Sequence, residues 1–184
     1  GLGRDYTVAF LQDAAKVIQS DIAATHPGTA DRAKFQSRLL KADFELMKRA
    51  HPGIGAHRLF ANNEISLGQI DYGEISFLEL STYLQRVATA GGSANFLDRA
   101  IEVMFAPYRN IRDVRYRWTF SKLINQIVNA AIARAYEGSD LEAMLYYVSV
   151  NKSRMLLEER LASQVEMTGG SVASASRDVG VALL

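Results

Sequence analysis

The chain has 184 residues, 48% of them apolar and 22% charged, the make-up of a folded globular protein rather than a disordered one. Its 21 basic and 20 acidic residues leave a formal net charge of +1, so no overall field draws it to nucleic acid or to a membrane. The absence of cysteine excludes disulfides, thiolate metal sites and cysteine nucleophiles, and no apolar run approaches the ~18 residues of a membrane-spanning helix.

Helical periodicity begins near Asp5. Val8, Leu11, Ala15, Ile18 and Ile22 recur at intervals of three and four, and His26-Pro27-Gly28 stops the stripe. A second helix carries Phe35, Leu39, Ala42, Leu46 and Ala50, with Asp31 as its expected N-cap and His51-Pro52-Gly53 as its end. A third is predicted over roughly residues 54–70 on Leu59, Phe60, Ile65 and Leu67. Tyr72-Gly73 separates it from a fourth, marked by Phe77, Leu80, Leu84 and Val87. Gly91-Gly92 breaks the chain, Ser93 caps a fifth helix reaching Phe105, and Pro107 opens a loop to about Asp113. The sixth helix carries Phe120, Ile124, Ile127, Ala131 and Ala135 and stops at Gly138. Ser139 or Asp140 then caps a seventh that runs to about Val165. Its first half, residues 141–150, is apolar around most of its circumference and is expected to lie buried between neighbours.

No segment alternates polar and apolar long enough for a strand; the nearest, residues 179–184, is short and terminal. The expected fold is therefore all-α, about seven helices joined by short connections into antiparallel pairs. The helical domain is expected over residues 1–165, with 166–184, through Gly169-Gly170-Ser171, as a flexible tail or linker. The N-terminus shows no signal peptide and the composition fits a reducing, cytoplasmic location. An opening on Gly1 rather than Met is what a processed end or a piece of a longer protein is expected to show.

Thr25-His26-Pro27-Gly28 and Ala50-His51-Pro52-Gly53 each close one helix and precede another, and helix pairs at such intervals are the mark of a solenoid. In the sixth and seventh helices, small residues at Ala131 and Ala143 are expected to let the pair approach closely, with Tyr147 filling the groove. With Gly138 at the turn, this spacing resembles the tetratricopeptide repeat, and Leu67-Gly68 with Tyr72 looks like a degenerate copy. The His-Pro elements resemble repeats of the kinesin light chain type. Residues 142–161, with Asn151-Lys152-Ser153-Arg154 leading into Met155-Leu156-Leu157-Glu158, are similar to the last repeat helix of CHAT family proteins. That resemblance implies a tetratricopeptide region ahead of a caspase-like peptidase domain, whose own residues are not in this sequence.

Chemistry is sparse. His26 and His51 precede prolines at helix ends, where a ring satisfies free carbonyls, and His57 has no partner at ligand spacing. Glu158 and Glu159 point to different sides of a helix, the Gly-Gly pairs lack a following Lys-Ser/Thr, and no serine sits in a nucleophile elbow. No catalytic centre, metal or cofactor is expected.

Three sets of residues remain for binding. Arg109, Arg112, Arg115, Arg117 and Lys122, interleaved with Tyr108, Tyr116 and Trp118, read either as a phosphate- and base-gripping patch or as a helix entrance with Trp118 in the core. Asn125 and Asn129, four apart, are candidates to line a peptide-binding groove, or else to bond across to Asn151. Met155, Leu157 and Leu161 form an apolar strip expected to dock a second copy or the next domain. The functional expectation is a non-catalytic protein-interaction scaffold, regulatory in a larger signalling or defence protein. Its partner would be a protein, a peptide, a neighbouring domain or a homodimer mate, with no membrane role. The alternatives are a nucleic-acid-binding helical domain using residues 108–122 and a helical bundle holding a small hydrophobic ligand.

Overall fold

A computed structural model describes residues 6–108 and 114–168, and every described element is helical. In chain order these are α1 (Val8–Ala24), α2 (Ala30–Lys48), α3 (Ala56–Ala61), a 3-10 turn at Leu67–Gln69, α4 (Phe77–Thr89), α5 (Ala94–Tyr108), α6 (Val114–Glu137) and α7 (Leu141–Thr168). Arg109, Arg112 and the tail from residue 169 lie outside the described residues, as does the side chain of Leu161. Among the described residues no helix is long and apolar enough to cross a membrane. The chain divides inside α4 into two compact units, Gly1–Leu84 and Gln85–Leu184.

In the N-terminal unit α1 and α2 form a hairpin. Thr29, not the expected Asp31, caps α2: its hydroxyl accepts from the Arg32 amide at 3.3 Å. Arg32 reaches back to donate to the carbonyls of Ile22 and Thr25 at 3.0 and 2.7 Å, closing the end of α1. The core gathers Leu39, Leu40, Leu46, Phe60, Ile65, Leu80 and Leu84, all at most 1% exposed.

The expected third helix is only six residues long. It breaks at Asn62-Asn63, where Asn63 turns left-handed at φ 62°, and Ile65 and Ile70 reach the core from an irregular segment instead. That segment is ordered because buried polar groups of α2 satisfy its backbone. The Gln36 amide donates to the Glu64 carbonyl at 2.7 Å, and the Ser37 hydroxyl accepts from the Asp71 amide at 2.8 Å. Arg38 adds a two-pronged ion pair with Glu74 at 2.9 Å, which holds its guanidinium above its usual pKa range.

Asp43, wholly buried on α2, accepts from the Tyr83 hydroxyl at 2.7 Å and from the Ile54 amide. This carboxylate pins the loop after His51-Pro52-Gly53 against the helices. A Cβ on Gly53 would collide with it, so glycine there answers to a close approach. Burial first, then Asp43, pushes the Tyr83 phenol well above its usual range. His26 is exposed, and His51 closes α2 through its backbone amide, which donates to the Leu46 carbonyl at 3.2 Å, while its ring Nδ1 lies 3.0 Å from the Pro52 carbonyl.

Candidate interaction surfaces of the C-terminal unit

Local signals set the elements here. The Ser93 hydroxyl accepts from the Phe96 amide at 3.2 Å to start α5, which then absorbs Pro107 in its last turn instead of ending before it. Ser139, at φ 55°, makes the left-handed turn after Gly138, and Asp140 caps α7 by accepting from the Ala143 amide at 3.0 Å.

The turn of residues 138–140 makes α6 and α7 an antiparallel hairpin, with Ser121 and Asn125 beside Arg154. α5 runs parallel to α7: the Tyr147 hydroxyl donates to Asp98, and ten residues further along the Tyr108 hydroxyl donates to Glu158. Burial first, then these carboxylates, raises both phenols well above their usual pKa range.

The polar centre of the unit is Arg154, only 6% exposed. Its guanidinium donates to Asn151 at 2.9 Å, to Glu158 at 2.8 Å, more weakly to Asn125 at 3.4 Å, and to the Ser121 hydroxyl. Glu158 thus balances the buried charge while also holding Tyr108, and the Arg117 guanidinium lies 5.4 Å from the centre of the Tyr108 ring. The chemistry of the cluster is complete within itself: it locks three helices into register.

Two surfaces remain open. The first is a cleft of about 1120 Å³ between α5 and α7. Ile101, Phe105 and Ala106 form one wall and Ala143, Tyr146 and Val150 the other. Asp98, Glu102, Asp140 and Glu142 stand among the described lining residues, none of which is a lysine or arginine. The second is the side of the α6–α7 hairpin turned away from α5. There α7 exposes Leu141, Leu145, Val148 and Met155, spaced on one helical face, and α6 exposes Trp118 and Tyr136, 71% and 75% accessible.

These surfaces revise the sequence expectations. The first half of α7 is not buried: Leu141, Leu145, Tyr146 and Val148 are 45–63% exposed and Tyr147 alone is buried, because neighbours cover α7 on one side only among the described residues. Trp118 is outside the core, not in it. Ala131 is 1% exposed on α6, whereas Ala143 is half-exposed and lines the cleft, so it does not set the approach of α6 to α7. Asn125 is tied to Arg154, which also holds Asn151; Asn129 is exposed; neither lines the cleft. Of the basic stretch, Arg115 and Lys122 are exposed but Arg117 is 9% exposed against Tyr108, which takes it out of any phosphate-facing row. Met155 is exposed, while Leu157 is half-buried and lies on a different side of the helix, so the exposed strip runs through Leu145 and Val148 instead.

The acidic cleft escaped sequence reasoning because its two walls are about 45 positions apart. A local signal was present in Asp98-x-x-x-Glu102 and Asp140-x-Glu142, but nothing local says that they face one another. No family model, curated protein or solved structure matches the chain, so its family resemblances rest on the quoted motifs alone.

Proposed function

We propose that the chain is a non-catalytic protein-interaction scaffold of tetratricopeptide-like hairpins, and that it docks a second copy of itself through the outer face of α6 and α7. The carrying observation is that face. Trp118, Tyr136, Leu141, Leu145, Val148 and Met155 are each 45–75% exposed, a gathering of large apolar side chains of the kind that marks an interaction face, with Lys122 and Lys152 exposed among them. The pattern on α7 is also self-complementary. Leu141 and Met155 lie seven residues either side of Val148, so an antiparallel pairing centred on Val148 sets each Leu141 opposite a Met155.

What supports the repeat reading is the alternation of α5, α6 and α7, with the first and third parallel. In a stack of hairpins the next helix would pack on this same open face. A regulatory place in a larger signalling or defence protein rests on the CHAT resemblance of residues 142–161.

Trp118 is the sole tryptophan and so reports on the face directly. Sedimentation equilibrium of the full chain should show a monomer–dimer equilibrium, with Trp118 emission moving to the blue as dimer forms. Leu145→Glu with Val148→Glu should abolish both while leaving unfolding free energy within ~0.5 kcal/mol. A monomer persisting to about 100 µM with solvent-like emission would overturn the reading, as would a double variant that loses several kcal/mol.

A further inference from the structure

The cleft between α5 and α7 lies on the opposite side of α7 from this face and calls for a different ligand. Alanine and serine at Ala106, Ala143 and Ser153 keep it open, and Phe105, Tyr146 and Val150 give it apolar walls. Along α7 it extends from Asp140 to Ser153, thirteen residues or about 20 Å of helix, room for some three turns of a bound helix.

Its electrostatics are one-sided. Asp98, Glu102, Asp140 and Glu142 contribute four carboxylates with no cationic residue among the described lining residues, in a chain whose basic and acidic residues nearly cancel. Two of them also have internal duties. Asp98 accepts the Tyr147 hydroxyl and Asp140 caps α7. Among the described residues Arg99 offsets part of this, its guanidinium 3.5 Å from Glu102. A partner helix of ordinary mixed charge would bring carboxylates against this rim. A segment with lysine or arginine flanking a few apolar side chains would neutralise it while filling the walls.

We infer that this cleft is a binding site for a cationic amphipathic segment of another protein, its apolar side chains seated against Phe105, Tyr146 and Val150 and its basic groups meeting the four carboxylates. The site is independent of self-association through α6 and α7.

The test uses the full chain and a fluorescein-labelled peptide of about 14 residues, with leucines at three–four spacing flanked by lysines, read by fluorescence anisotropy. Saturable one-to-one binding is expected, weakening as salt rises. Glu102→Lys with Glu142→Lys, both exposed and outside the tyrosine bridges, should weaken it at least about tenfold. Tyr146→Ser should weaken it at unchanged charge. The peptide with serine in place of leucine, and the one with glutamate in place of lysine, should not bind measurably. Leu145→Glu with Val148→Glu should bind like the parent protein, which separates this site from the dimer face. Equal binding by the charge-reversed protein, or equal binding of the leucine-free peptide, would overturn the proposal, the second by reducing it to counter-ion attraction.

Discussion

Replacing Arg154 with methionine removes the buried cation that pairs with Glu158 while roughly preserving side-chain volume. The three acceptors of Arg154 besides Glu158 are not all equal. The Asn151 contact at 2.9 Å and the Ser121 contact are strong, and the Asn125 contact at 3.4 Å is marginal. Removing one member of a buried ion pair costs about 3–5 kcal/mol, chiefly through the charge left behind. Glu158 retains 32% side-chain exposure, so water rescues part of its charge and the lower end, about 3 kcal/mol, applies. For a unit of roughly 100 residues this is a fall of about 12–24 °C in Tm. The assay is urea denaturation of the parent, Arg154→Met, Glu158→Gln and the double variant, followed by circular dichroism. The double variant should be at least about 1 kcal/mol more stable than the sum of the single effects, since neutralising Glu158 removes the stranded charge. Arg154→Met within ~0.5 kcal/mol of the parent, or strict additivity, would refute the account of Arg154 as the electrostatic centre of the three helices.

Tyr83→Phe should cost about 1–3 kcal/mol in urea unfolding, because it takes a donor from the wholly buried Asp43; a neutral result would mean that the Ile54 amide suffices. Ala131→Leu should overpack the α6 core by about 1–3 kcal/mol, while Ala143→Leu, pointing into the cleft, should stay within ~0.5 kcal/mol; equal losses would contradict the assignment of Ala143 to the cleft. Tyr108 and Tyr147 have folded pKa values raised above the unfolded value of about 10, so the stability they contribute is complete below that pH and lost as pH rises beyond it. The urea midpoint should therefore fall above about pH 10, and the fall should be shallower in Tyr108→Phe with Tyr147→Phe; absorbance showing every tyrosine ionising near pH 10 in the folded chain would contradict it.

Most helices were legible from the chain alone because their signals are local. Proline and glycine punctuate residues 25–28 and 51–53, Ser93 and Asp140 offer oxygens to first-turn amides, and apolar residues recur at three and four between them. An all-α fold follows from such signals without any long-range contact. The third helix was overread for the same reason. Leu59, Phe60 and Ile65 keep a helical rhythm, but the left-handed turn at Asn63 and the anchoring of the Glu64 carbonyl by Gln36, 28 positions away, are settled by α2. Likewise the apolar circumference of α7 specifies a helix that neighbours could cover on any side, and only packing decides which sides they take. Arg154 reads in sequence as part of a charged surface run, and in space it is the buried centre of a unit whose partners arrive from α6 and, through Tyr108, from α5. The four carboxylates of the cleft belong to two helices that are silent about each other until α6 brings them side by side. Sequence determined the elements and their ends, since a cap or a turn needs only neighbours within a few residues. Tertiary structure alone decided which faces were buried, which charges were paired and which surfaces were left for a partner, since burial depends on what distant segments supply.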